Sequence, residues 1–124
     1  MPATFAELYS SLSKEVFLEQ ARQQLAEGHD GLTCADAYAE QGKPDFALAF
    51  LLLSEISDEA KRDILARSYE QRATLSEEKA EDFDRKFHRP FPLIKLEAQK
   101  DRLAAQQVRQ GRRVRRESKA LRVN

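Results

Sequence analysis

The sequence predicts an all-α fold: a small helical bundle or a set of helical hairpins, followed by a long basic C-terminal helix. Two observations lead to this prediction. Ala, Glu, Gln, Arg and Leu, which favour helices, dominate the 124 residues, and only four Gly and four Pro interrupt them. Apolar residues also recur at intervals of three and four along most of the chain, which is the period of a helix with one buried face.

The first helix is predicted to begin at Thr4, which stands three residues before Glu7 in the spacing of a capping box. Its apolar face continues to Leu25, and Gly28 is expected to end it. A short second helix is predicted from Thr33 to Gln41, just before the next glycine.

A third helix is predicted from about Pro44 to Glu55, because proline suits the first position of a helix. Eight consecutive apolar residues occupy positions 46–53. A helix that is apolar on every side is surrounded by other helices, so this one is expected at the centre of the core. The run is too short to cross a bilayer, which takes about 20 apolar residues.

Two further helices are predicted to begin at Ser57 and at Thr74, the second with an acid at capping-box spacing. Two prolines in the segment His88–Pro92 are expected to interrupt regular structure. The sequence therefore predicts an acidic helical domain, residues 1–89, and a Pro-marked corner with an Arg-rich helix, residues 90–124.

Three phenylalanines lie around this corner. Phe83 and Phe87 are predicted to be core residues of the preceding helix, because their spacing continues its apolar face. Phe91 is predicted to pack inward at a stiff corner, in preference to the alternative of an exposed docking point.

Charge is distributed unevenly, although the formal net charge is zero. Residues 1–99 carry 12 Lys/Arg and 19 Asp/Glu, a net charge of −7, whereas residues 100–124 carry 9 and 2, a net charge of +7. An acidic body with a basic end indicates separate roles for the two parts.

The last helix is predicted to run from Leu93 to near the end of the chain, with Gly111 as its weakest point. At about 100° per residue, an apolar stripe runs along one side and most of the arginines lie on the other. The residues predicted to contact a partner are four arginines and three apolar residues of the stripe: Arg109, Arg112, Arg113, Arg116, Leu103, Val114 and Leu121.

One segment resembles the middle of a tetratricopeptide repeat. Tyr38, Gly42, Ala47 and Leu48 hold the offsets that this family has between its first-helix Tyr, its turn Gly and the Ala-Leu that follows. The resemblance implies a helical hairpin and a protein-binding scaffold whose concave face holds a peptide or a helix. The alternative is an antiparallel bundle in which these residues only pack.

Part of a second copy is carried by Leu65, Ala66 and Tyr69. Its Tyr follows Tyr38 by 31 residues, whereas the family's repeat is about 34 residues long. The turn glycine is absent from this copy, so the resemblance covers only about residues 34–73.

Residue patterns that carry enzyme chemistry are nearly absent. The sequence has no phosphate-binding loop, paired-Cys motif or dinucleotide fingerprint. Cys34 has no local base and is expected to be a small buried hydrophobe, and His29, next to a glycine, is expected at a helix end. A cluster of acids is expected to meet a basic partner rather than a divalent cation: Glu77, Glu78, Glu81, Asp82 and Asp84. No catalytic residue, cofactor or metal site is predicted.

These observations predict a non-catalytic protein–protein interaction protein, an adaptor or assembly factor. Its partner would present an acidic or helical surface, which includes the chain's own body and a second copy. The alternative is a small RNA- or DNA-binding regulator that uses the same arginines on phosphates. Membrane binding is not expected, because the apolar stripe is narrow and its residues are not bulky. The expected location is the cytoplasm, because residues 1–20 show no secretory signal.

Overall fold

The computed structural model describes residues 3–114, which contain six α-helices and no β-strand. The all-α class predicted from the sequence is therefore confirmed. None of the described helices is both long and apolar enough to span a bilayer. In chain order they are α1 (Phe5–Tyr9), α2 (Glu15–Ala26), α3 (Gly31–Glu40), α4 (Pro44–Leu52), α5 (Asp58–Phe87) and α6 (Pro92–Arg109), with a 3₁₀ turn, Ser10–Leu12, after α1.

The first helix is capped as predicted but is much shorter than predicted. Thr4 Oγ1 accepts the Glu7 N–H at 3.1 Å, and the Glu7 carboxylate accepts the Thr4 N–H at 3.2 Å. The prediction of one helix as far as Gly28 is wrong, because the backbone is extended at Ser13 (φ −84°, ψ 138°). Three of the four residues 10–13 are serines, whose hydroxyls compete for backbone hydrogen bonds and so favour a break.

Helices α3 and α4 form a hairpin inside the core. Asp30 caps α3 by accepting the Thr33 N–H at 2.9 Å, so this helix begins earlier than the predicted Thr33. Helix α4 ends at Leu52 rather than Glu55. As predicted, it is a central core element, and five successive residues are each at most 1% exposed: Ala47, Leu48, Ala49, Phe50 and Leu51.

Gly42 turns the chain between α3 and α4 with φ 68°. A Cβ at this position would lie 2.9 Å from the backbone nitrogen of Arg72, so the turn is packed directly against α5. A hairpin therefore stands where the first tetratricopeptide-like segment lies, and Tyr38 stacks on Phe46 with ring centroids 4.9 Å apart. The second segment has no such turn, because Tyr69 lies within the unbroken α5.

Helix α5 is a single helix of 30 residues. The prediction of a new helix at Thr74 is wrong, because Glu77 does not cap the backbone there. Its carboxylate instead pairs with Arg102 of α6. Contacts between α5 and α6 thus override a local capping signal.

The interruption predicted at the two prolines is observed. Helix α5 ends at Phe87, His88 adopts a left-handed conformation (φ 55°), and α6 begins at Pro92. Because α6 returns antiparallel to α5, the corner is the end of a long two-helix hairpin.

The prediction that the last helix runs to near the end of the chain is wrong, because α6 ends at Arg109. Gly111 takes φ 69°, and the Arg112 N–H donates to the Gln107 carbonyl at 2.8 Å. This is the Schellman arrangement, in which a left-handed glycine closes the last turn of a helix. Residues 115–124 lie outside the described part of the chain.

Helices α5 and α6 pack through buried alanines seven residues apart. They are Ala73 and Ala80 on α5 and Ala98 and Ala105 on α6, and each is at most 1% exposed. The ion pairs between the helices set an antiparallel register in which Ala80 is level with Ala98. Small side chains at heptad spacing let the two backbones approach closely along a shared face.

Ala80→Leu is expected to lower the free energy of unfolding by about 1–3 kcal/mol, because the larger side chain must push the two helices apart. Glu81→Leu, at an exposed neighbouring position, is the matched control and is expected to change it by less than about 0.5 kcal/mol. Urea unfolding followed by circular dichroism measures both. Equal effects at the two positions would contradict close packing along the alanine seam.

Candidate protein-binding surface on the last helix

Two arginines of α6 are bound by acids of α5. Arg102 pairs with Glu77, with Nε 3.0 Å from Oε2 and a second contact from Nη2 to Oε1. Arg109 pairs with Glu70 through two contacts of 2.8 and 3.1 Å and reaches Asp63 at 2.9 Å. Both sets repeat every seven residues, so the acids and the arginines stay on adjacent edges of the two helices.

The ion pairs continue to α3 as a connected network. Arg67 lies between Asp63 at 3.2 Å and Asp36 at 2.9 Å, and Asp63 is shared with Arg109. A hydrogen bond from Arg109, helped by Arg67, lowers the pKa of the Asp63 carboxyl despite its partial burial. The hydrogen bonds that Arg109 donates to Glu70 and Asp63 raise the pKa of its guanidinium. The network therefore keeps its acids and arginines charged and links α3, α5 and α6.

A separate ion pair lies on the other edge of the α5–α6 contact. Arg72 binds Asp101 with both Nε and Nη2, each at 2.8 Å. Asp101 is 7% exposed and is one of two buried polar or charged residues in the described part of the chain. This pair is a structural clamp between α5 and α6.

The outer face of α6 forms an open groove against α5. Leu103, a residue that is 38% exposed, lies in this groove. The groove has a volume of about 440 Å³ and is lined by Glu70, Gln99, Arg102, Leu103, Gln106 and Arg109. The structure thus brings together two of the predicted partner-binding residues, Leu103 and Arg109. It also corrects the prediction that the arginines and the apolar stripe lie on opposite sides of the helix.

The other predicted residues lie beyond the end of α6. Arg112 and Arg113 are exposed, and within residues 3–114 neither side chain forms an ion pair. The Tyr9 hydroxyl donates to the Arg112 carbonyl at 2.7 Å, which holds this segment against α1. Val114 packs partly against the core and does not continue the stripe of Leu103, because the helix has already ended. Arg116 and Leu121 lie outside the described residues.

The sequence contained a signal for the α5–α6 contact that the predictions missed. Acids recur at Asp63, Glu70 and Glu77, and arginines recur at Arg102 and Arg109, both at intervals of seven. Matched heptads of opposite charge are typical of two helices that pack side by side. Arg102 and Arg109 of α6 are therefore paired with acids of the protein's own body.

His29 and Cys34, the remaining candidates for catalysis or metal binding, have surroundings that explain them as structural residues. His29 closes the end of α2 by donating its N–H to the Gln24 carbonyl at 3.1 Å, as expected for a helix-end residue. Burial raises the pKa of the Cys34 thiol, which is opposite to the activation that a nucleophilic thiolate needs. Among residues 3–114 no group of His, Cys, Asp and Glu is placed to hold a metal ion.

The arginine–acid pairs are expected to make stability depend on pH. The pKa values of Asp63 and Glu77 are lowered by hydrogen bonds from Arg109 and Arg102. A lowered carboxyl pKa contributes stability above the unfolded-state pKa, and this contribution is lost as pH falls through the folded-state value. Arg102→Gln/Arg109→Gln is therefore expected to lose less stability than the wild type between about pH 6 and pH 3 in urea unfolding. Parallel losses would contradict this assignment.

Comparison with known proteins gives no relative: no protein-family model matches the chain, and no curated protein or solved structure matches it.

Proposed function

We propose that the chain is a non-catalytic protein-binding adaptor whose partner surface is the outer face of α6 and the arginine segment that follows it. The observation that supports this most directly is that, within residues 3–114, Gly111 separates arginines with acidic partners from arginines without them. Arg102 and Arg109, before it, are already paired with acids of α5. Arg112 and Arg113, after it, are exposed and lack ion pairs within residues 3–114.

The basic segment has the charge to attract an acidic protein surface. Residues 112–122 carry six Lys/Arg and one Glu, whereas residues 1–99 have a net charge of −7. Arginine is enriched at protein interfaces because its planar guanidinium binds carboxylates with two parallel hydrogen bonds. The anchoring of the Arg112 carbonyl by Tyr9 gives this segment a defined starting point on the body.

The groove on α6 supplies the apolar part of the same surface. Leu103 is exposed between Gln99 and Gln106, whose long side chains can contact a partner without carrying charge. A partner helix that lies along this groove would bury Leu103 and reach Arg112 with its acids. The scaffold role implied by the tetratricopeptide-like hairpin around Gly42 agrees with this proposal, although the binding face differs.

The alternative is a small RNA- or DNA-binding regulator that uses the same arginines. The clustering of Arg112 and Arg113 favours it, since close arginines can contact successive phosphates and release counterions. Aromatic stacking partners are not found beside them in the described residues, because the nearby Tyr9 is fully buried.

Affinity capture from the source cells, with and without nuclease, tests the proposal. Wild-type protein is expected to retain one protein partner after nuclease treatment. Arg112→Glu/Arg113→Glu is expected to lose about tenfold or more of it, because each reversal replaces attraction with repulsion. Lys14→Glu/Lys43→Glu changes the net charge equally at two exposed positions and is expected to retain the partner. Recovery of RNA or DNA in place of a protein, or loss of the protein on nuclease treatment, would favour the alternative.

A further inference from the structure

The end of the α5–α6 hairpin, residues 85–95, is here called the tip, and it carries an aromatic cluster. Phe87 and Phe91 stand one heptad step beyond Ala80 and Ala98, so the seam of alanines ends in two phenylalanines. Their ring centroids are 5.9 Å apart, and Phe83 lies within 5.8 Å of both. Helix α5 has no buried residue after Ala80, so the cluster is separate from the core.

The prediction that Phe83 and Phe87 are core residues is wrong, because both belong to this separate cluster and Phe87 is 56% exposed. Leu93 is 75% exposed, the largest value among the exposed large hydrophobic residues of the described chain. Beside them the segment Arg89–Ile94 lines a cavity of about 380 Å³. Exposed apolar side chains next to a concave pocket are typical of a docking site.

The tip is also basic on an otherwise acidic body. Residues 85–95 contain four Lys/Arg and no Asp or Glu, whereas residues 1–84 contain 8 Lys/Arg and 18 Asp/Glu. The Arg89 guanidinium lies 5.5 Å from the centroid of the Phe91 ring. Within residues 3–114, Arg89 and Lys95 form no ion pair, while Lys86 is paired with Asp82 at 3.1 Å. Arg89 therefore lines the apolar pocket without an ion pair in the described part of the chain, whereas Lys95 lines a separate pocket together with Glu77 and Glu81.

We propose that the tip docks an acidic amphipathic helix of a partner protein. An apolar side chain of that helix would enter the cavity against Phe91 and Leu93, and one of its carboxylates would pair with Arg89. This is a second surface, at the other end of α6 from Gly111 and about 27 Å away by helix rise, so it is independent of the arginine segment.

Charge and size argue against two other occupants. A second copy that docked tip to tip would bring two unpaired Arg89 side chains together, and the two exposed side chains Phe87 and Leu93 are few for the roughly 800 Å² per partner of a stable interface. The planar surface of a bilayer would leave the concave pocket between Arg89 and Ile94 unfilled.

The probe that tests the proposal is a synthetic peptide of about 18 residues, long enough to form a helix, with leucines on one face and glutamates on the other. Binding to the full chain is measured from amide chemical shifts. Shifts are expected in residues 85–95, and Arg89→Gln is expected to weaken binding about fivefold. Phe87→Ser/Leu93→Ser is expected to weaken it by a similar factor, whereas Val16→Ser, at a position 57% exposed on α2, leaves it unchanged.

The proposal would be overturned if the peptide did not bind, or if a peptide with glutamine in place of glutamate bound equally well. It would also be overturned if the chemical shift changes were confined to residues 110–114. The same holds if phosphatidylserine vesicles bound in place of the peptide and the tip variants lost that binding. A concentration-dependent dimer that Phe87→Ser/Leu93→Ser abolishes would assign the surface to a second copy instead. Because Arg112→Glu/Arg113→Glu leaves the tip intact, failure at one surface is distinguishable from failure at the other.

Discussion

Gly42→Ala is expected to lower the free energy of unfolding by about 2–4 kcal/mol, from strain and a backbone clash together. The residue has φ 68°, a conformation in which an L-residue costs about 1 kcal/mol more than glycine. In addition, the new Cβ would lie 2.9 Å from the Arg72 nitrogen and 3.0 Å from its Cα. Backbone atoms inside a helix cannot move aside singly, so the α3–α4 hairpin must shift away from α5.

Gly111→Ala is the matched control for this substitution. Gly111 has nearly the same φ, 69°, but a Cβ there would meet nothing within 4 Å. Gly111→Ala therefore carries only the conformational cost, and it is expected to lower the free energy of unfolding by about 1 kcal/mol. Urea unfolding of the two variants separates the clash from the conformational strain. Equal losses would show that the α3–α4 turn does not press on α5 in solution.

Asp101→Asn is expected to lower the free energy of unfolding by about 2–3 kcal/mol. The substitution keeps the size of the side chain but removes the charge that binds Arg72 through two hydrogen bonds of 2.8 Å. Breaking a fully buried pair costs about 3–5 kcal/mol, and the expected value is lower because the Arg72 side chain is 42% exposed and water can solvate part of it.

Glu77→Gln is the control for the loss of a similar pair at an exposed site. Both partners of the Glu77–Arg102 pair are more than 40% exposed, so its removal is expected to cost less than about 1 kcal/mol. Arg72→Met/Asp101→Leu, which replaces the clamp with apolar side chains, is expected to be more stable than Asp101→Asn alone. If Asp101→Asn costs no more than Glu77→Gln, burial does not govern the strength of this pair.

Local signals in the sequence predicted correctly those features of the structure that depend on residues close together in the chain. The capping box at Thr4, the glycine turn at Gly42 and the interruption at the two prolines all appear in the structure, because each acts through backbone geometry within a few residues. The eight-residue apolar run of α4 identified a core helix, because its composition leaves no polar side to face water.

The same local signals failed where distant contacts compete with them. The capping signal at Thr74 is not used, because Glu77 binds Arg102 and the alanines on either side are buried. Phe87 fails for a different reason. Its spacing is that of a core residue, but the α5–α6 hairpin extends past the end of the core at this point.

For the candidate surfaces too, some features follow from the sequence and others only from the tertiary structure. The sequence by itself determined that the protein is helical, that its body is acidic and its end basic, and that Gly111 disfavours continuation of the last helix. Only the tertiary structure decided which arginines are already paired, because Asp63, Glu70 and Glu77 meet α6 through an antiparallel register set by long-range packing. Charge composition is a property of the chain, whereas the neutralisation of each charge depends on which helices lie side by side.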